Sequence, residues 1–210
     1  MARALEHVNL EFGRVLCEAD SKFTHVYFPN DSMTSLVALV RGGDALEVGL
    51  VGKDSVVGIP LALGSASSPV RAMVQGSGSA MRMSAQDFVA ELKDNAELRG
   101  LVDRCAYVAM ATAMQLAACN KAHQLAPRLA RWLLMVRDRL ARDEFPLTQQ
   151  FLALMLGVRR AGVTEAASAL QARSLIRYTR GQIKILDAEA LRAAACPCYD
   201  AIRELERGAR

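Results

Sequence analysis

The sequence lacks any stretch that is apolar for long enough to cross a bilayer. Its longest uncharged apolar run, Cys105–Cys119, falls short of the ~20 residues a spanning helix needs, and it carries Thr112 and Gln115. That run is expected as a buried helix, and no membrane partner is expected. The N-terminal segment from Met1 to His7 has no basic run leading into an apolar one, so no secretory signal is read there. Cysteines are few and odd in number: Cys17, Cys105, Cys119, Cys196 and Cys198. Reduced thiols in a cytoplasmic protein are therefore expected rather than a disulfide framework. Enzyme fingerprints are missing as well, with no GxSxG, HExxH, Walker loop or dinucleotide glycine motif. Cys105 and Cys119 lie on an apolar segment, where a thiol is inert, so cysteine catalysis is disfavoured. The chain is not expected to be an enzyme.

What is present is enough apolar material for a core and an uneven distribution of charge. The 210 residues are 52% hydrophobic and 23% charged, which excludes a disordered or collagen-like chain and suits one domain or two small ones. The net charge of +4 is an average over unlike halves. Residues 1–100 hold 9 Lys+Arg against 12 Asp+Glu, whereas residues 101–210 hold 17 against 10. Between Lys121 and Lys184 the balance is 12 to 4. A mildly acidic half joined to a basic one implies two tasks, one of them involving a polyanion. Ten of the 14 glycines lie in the first hundred residues, so that half reads as short strands and the second as helices.

From about Glu11 to Ser84, short apolar runs alternate with turns. Thr24–Phe28, Ser35–Arg41, Leu46–Val51, Val56–Pro60, Ala72–Val74 and Ala80–Met83 read as strands, with a hairpin turn at Gly42-Gly43-Asp44. Such a series suggests a small sandwich or barrel. Ser84 and Asp87 form a capping-box pattern opening a helix. From Asp94 onward, Leu98, Val102, Cys105, Ala109, Thr112, Leu116 and Cys119 step by four and three. Leu101, Val108, Met110 and Met114 make the other side apolar too, so one side is expected on the β domain and the other on a second copy of the chain. The long helix is expected to end near Asn120–Gln124, followed by a helix Arg128–Arg142 with arginines on its outer face.

The segment 147–186 (LTQQFLALMLGVRRAGVTEAASALQARSLIRYTRGQIKIL) carries the decisive pattern. Thr148 caps a short helix with Phe151, Leu152 and Met155 inward, and Gly157 closes it. A second helix opens near Arg159–Gly162 and buries Val163, Ala166, Ala167 and Leu170. This is a helix-turn-helix pattern, whose second helix is suited to the major groove. Arg159, Arg160, Thr164 and Glu165 point outward from its first turns as candidate base readers. Thr148, Gln149, Arg180 and Lys184 are candidate backbone contacts, the latter two on a basic hairpin running from Arg177 to Ile185.

Together with segments 25–40 (HVYFPNDSMTSLVALV), 56–64 (VVGIPLALG) and 119–134 (CNKAHQLAPRLARWLL), this segment resembles the Crp/Fnr-type bacterial transcription regulators over roughly residues 8–205. The resemblance implies an α+β fold: a jelly-roll-like β-roll sensor domain over 1–94, a dimerisation helix over 95–124, and a winged helix-turn-helix with a C-terminal helix over 125–210. It implies a homodimer on a two-fold-related double-stranded DNA operator, with RNA polymerase as a further partner. It places Arg160 where the family reads guanine, and Ala161 where many members carry a base-reading Glu.

In cyclic-AMP-binding relatives the resemblance predicts a Gly-Glu pair and a later Arg-Ser/Thr-Ala. Here Gly58 is followed by Ile59 and Pro60, Val70 takes the Arg place, and Arg71 the Ser/Thr place. Pro60 and Pro69 also remove backbone donors. Cyclic AMP is therefore not expected, and no cofactor is identified. Gly58, Arg71, Ala72 and Thr112 remain candidates for a divergent effector pocket, with Arg71 pairing equally well with a surface carboxylate. Cys119 and His123 stand one helical turn apart and Cys196-Pro197-Cys198 adds two thiols, but no clustered CxxC spacing is present, so idle or buried thiols are expected and no metal. The second reading is a ligand, redox or metal sensor acting through protein partners instead of DNA.

Overall fold

A computed structural model describes residues 5–40 and 45–208. The β-branched and aromatic runs of the first half form two antiparallel sheets. One has the order β1 (Glu6–Leu10), β7 (Gly78–Ser84), β3 (His25–Pro29); the other runs β2 (Val15–Cys17), β6 (Arg71–Gly76), β4 (Met33–Leu39), β5 (Ala45–Val51). Leu10, Tyr27, Val51, Val74 and Ala80 fill the space between them, giving the expected β-roll. The expected turn at Gly42-Gly43-Asp44, with Arg41, lies outside the described residues. Strands β1 and β2 are additions to the expected set, because neither run alternates strongly enough to stand out.

Val56–Pro60 is a correction. Only Val57 pairs, with Tyr27, and the chain then turns into the short helix α1 (Ile59–Ala62). Gly58 makes this turn at φ 126°, and a Cβ there would stand 2.5 Å from Val26 Cγ1. Pro60 falls in the first turn, where its missing N–H costs nothing.

Helix α2 (Ala85–Asp94) starts as expected, with Ser84 Oγ accepting from the Asp87 amide at 3.0 Å. Asn95 Oδ1 then caps α3 (Ala96–Ala122) by accepting from the Leu98 amide. Leu98, Val102, Thr112, Leu116 and Cys119 turn toward the rest of their own chain and are buried, while Leu101, Tyr107, Met110 and Met114 are exposed. No helix among the described residues is long and apolar enough to cross a membrane.

Helix α4 (Leu125–Leu140) begins three residues earlier than expected. Its arginines do not all face outward. Arg128 and Arg131 are buried, Arg128 Nη2 donating to the Leu156 carbonyl at 2.7 Å, and Arg139 pairs with Glu206 at 2.8 Å. The second half continues with β8 (Glu144–Pro146), α5 (Gln149–Leu156), α6 (Arg160–Ala172), β9 (Ile176–Thr179), β10 (Gln182–Ile185), α7 (Ala188–Ala194) and α8 (Cys198–Gly208). Strands β8, β10 and β9 form one small sheet in that order. Trp132, Leu133, Met155, Val163, Ile183 and Ile202 share a core with Met33, Val37 and Leu50 of the β-roll, so α4 is packed from both sides.

At that junction Glu47 is only 6% exposed. Its Oε1 accepts from Trp132 Nε1 at 2.8 Å, and its Oε2 meets Ser35 Oγ, which also contacts Gln75. Burial pushes the Glu47 carboxyl up to about 7, outweighing the Ser35 and Trp132 hydrogen bonds that favour its ionised form. In the unfolded chain a Glu ionises near ~4.3. Between that pH and about 7 the unfolded state sheds its proton while the native state keeps it, so this group makes stability fall with rising pH and level off above. In Glu47→Gln, which keeps an acceptor for Trp132 but cannot ionise, urea unfolding across that window should lose this part of the slope.

Candidate nucleic-acid interface

Helices α5 and α6 meet at a turn built from local chemistry. Thr148 Oγ1 accepts from the Phe151 amide at 3.2 Å and caps α5. Gly157 ends α5 in the left-handed region at φ 62°, and a Cβ there would stand 2.8 Å from Leu46 Cδ1. Val163, Ala166, Ala167 and Leu170 anchor α6 in the core, which leaves its opposite face in solvent. Arg159 precedes α6 and makes no side-chain cap bond, so its guanidinium is not tied to the helix start.

The side chain of Gln149 organises the exposed face. Its Oε1 accepts from Arg160 Nε at 3.4 Å and from Thr164 Oγ1 at 3.2 Å, joining the start of α5 to the first turn of α6. Glu165 stands exposed beside them. Thr148, Gln149, Arg160, Tyr178, Arg180 and Gly181 line an open groove of about 410 Å3. The Leu147 amide donates to the Gly181 carbonyl at 2.7 Å and holds the tip of the β9–β10 hairpin beside α5. Thus Thr148, Gln149, Arg160 and Arg180 converge, Thr164 is tied to them through Gln149, and Arg159 and Glu165 are exposed outside the groove lining, Arg159 bordering a separate pocket with Leu46 and Leu154. Lys184 lies apart on the small sheet, 3.5 Å from Glu144.

Tyr178 is a groove residue that sequence reasoning did not single out. Its hydroxyl donates to the Leu147 carbonyl at 2.9 Å, and burial pushes it up, so it remains a neutral donor. No local signal marks it, because its role depends on α5 packing over the hairpin. The basic excess also divides: Arg128, Arg131 and Arg139 serve the core, and Arg137 pairs with Asp143 at 2.5 Å. Arg159, Arg160, Arg173, Arg177 and Arg180 remain exposed.

Residues 127–194 match the Crp-like helix-turn-helix domain family. The chain carries a Crp-like helix-turn-helix domain. The architecture around it is that of Crp/Fnr-family regulators. FixK2 from Bradyrhizobium japonicum superposes with a TM-score of 0.76 at 14% identity, covering 91% of this chain and 98% of that one. A CRP-family transcriptional regulator from Thermus thermophilus gives 0.72 at 18%, with 90% and 96% covered. The c-di-GMP-responsive global regulator CLP from Xanthomonas campestris gives 0.71 at 13%, with 88% and 95% covered. At these identities the likeness is one of fold. No curated protein sequence matches the chain.

Beside the β-roll, a cavity of about 270 Å3 opens between β5, α1 and α3, walled by Val51, Ile59, Val108 and Thr112 with Asp54 and Arg104 at its polar side. Of the four expected pocket residues only Thr112 lines it. Gly58 packs on Val26, Ala72 is buried inside the β-roll, and Arg71 Nε pairs with Glu18 at 2.7 Å on the surface. Strand alternation explains Arg71: it faces away from its buried neighbour Ala72.

The hairpin tip of the Crp-like domain also contains strain. Arg180 has φ 48° and Gly181 φ 77°, the consecutive left-handed pair of a primed two-residue turn. An arginine in the first of these positions costs about 1 kcal/mol relative to asparagine, whose short side chain tolerates it. Arg180→Asn should therefore raise unfolding stability by about that amount in urea melts; a loss of stability would contradict the turn assignment.

Proposed function

We propose that the protein is a homodimeric, sequence-specific DNA-binding transcription regulator. The carrying observation is the convergence of Gln149, Arg160, Thr164 and Arg180 on one exposed face where α5, α6 and the hairpin meet. In this reading α6 enters the major groove, with Arg159, Arg160, Thr164 and Glu165 reading base edges. Gln149 holds Arg160 and Thr164 in register, while Thr148, Arg180 and Lys184 hold the phosphate backbone. The face of α3 bearing Tyr107, Met110 and Met114 supports dimerisation, since three large apolar side chains lie exposed along one side of the helix. An effector in the cavity against α3 would then act on the dimer helix directly. RNA polymerase is the further partner that a regulator of transcription requires.

Binding to arbitrary duplex DNA should weaken steeply with salt, because phosphate neutralisation releases counterions. Absence of any salt-dependent binding would favour action through protein partners. Arg160→Ala should cost about 1–3 kcal/mol on a cognate operator and relax specificity there, whereas Lys184→Ala should weaken all duplexes alike and lower the salt slope by about one. For the dimer, the paired change Met110→Glu and Met114→Glu should convert a dimer into a monomer in solution mass measurements; a wild-type monomer would contradict the assignment of that face.

A further inference from the structure

Cys119 and His123 lie at the end of α3, Cys196 in the link between α7 and α8, and Cys198 at the start of α8. The two pairs are separated by more than seventy residues, yet one ligand atom from each residue lies within 4.8 Å of all the others. Cys119 Sγ is 3.4 Å from Cys196 Sγ, and Cys198 Sγ is 3.6 Å from His123 Nδ1. A tetrahedral zinc centre, with Zn–S near ~2.3 Å and Zn–N near ~2.0 Å, sets its ligand atoms ~3.5–3.8 Å apart. Both measured edges fall close to that, and the widest separation needs to contract by only ~1 Å.

Two further features point the same way. Gln115 Nε2 donates to Cys198 Sγ at 3.1 Å, an outer contact of the kind that orients a thiolate. Beside the cluster, Arg128 and Arg131 are buried and their Nε atoms have no hydrogen-bond partner among the described residues. Neither forms a direct ion pair with a carboxylate among those residues; Arg131 interacts electrostatically with Glu47, and both arginines interact with the Cys119 and Cys196 thiols. Two buried guanidinium groups need an anionic neighbour. A divalent zinc-type ion on three thiolates and one neutral imidazole carries one net negative charge and supplies it.

We infer that Cys119, His123, Cys196 and Cys198 form a closed, structural zinc-type site that pins α8 across the α3–α4 joint. Binding releases the thiol protons to water, and no electron moves. The backbone is already arranged for this, since the Cys196 amide donates to the Pro127 carbonyl at 3.2 Å just beyond the joint. The site thereby ties the end of the long helix to the helix-turn-helix half, and it stands independently of the DNA-binding reading.

The full-length chain, isolated in reducing buffer, should contain one zinc per chain by elemental analysis. Cys119→Ser and Cys198→Ser should abolish it, and Cys105→Ser, outside the cluster, should retain it. To separate binding from folding, wild-type protein stripped by chelator and titrated with Co2+ should develop thiolate-to-cobalt charge-transfer and tetrahedral d–d absorption that saturates at one ion and is displaced by Zn2+. Gln115→Ala should fold normally and bind the metal about 10–100-fold more weakly. Zinc should also slow hydrogen exchange over residues 120–128. A folded, reduced protein that gives no cobalt–thiolate absorption overturns the site, as does a native Cys119–Cys196 disulfide with no bound metal. Unchanged exchange over 120–128 overturns the pinning role.

Discussion

Helix α4 is buried along nearly its whole length, and the rest of the molecule is arranged around that constraint. A sixteen-residue helix with both faces covered must satisfy its polar side chains internally. Trp132 does so through Glu47 of the β-roll, and Arg128 through the Leu156 carbonyl at the end of α5. One bond reaches into the β-roll and the other into the helix-turn-helix. A displacement of α4 would therefore strain buried hydrogen bonds to both halves.

The same packing accounts for the division of the basic residues. Arginines on α4 and beside it are used to build the junction, and those on α6 and the hairpin are left in solvent, where Gln149 holds Arg160 at a groove that Arg180 also lines. Arg180 occupies a left-handed turn position that asparagine or glycine would fill with less strain.

Much of the fold was legible in the chain because its signals are local. Ser84 and Thr148 each cap the helix that follows, and Gly157 closes the turn of the helix-turn-helix. The period of Val163, Ala166, Ala167 and Leu170 identifies the buried face of α6 and so the exposed one. Readings that failed concern longer-range packing. Val56–Pro60 looks like a strand until Gly58 is seen against Val26, and Arg128 and Arg131 look like surface residues until the β-roll and α5 cover them. Arg71 illustrates the same limit, since its partner Glu18 is far away in sequence.

By itself, then, the sequence determined most of the strands and helices and which residues of α6 face outward, because capping and periodicity act within a few residues. The tertiary structure alone decided which charges are buried, where the cavity against α3 opens, and that Tyr178 joins the groove. It also brought Cys119 and His123 to Cys196 and Cys198. Their spacing along the chain carries no metal-ligand pattern, and only the packing of α8 against the end of α3 converts four scattered side chains into one cluster.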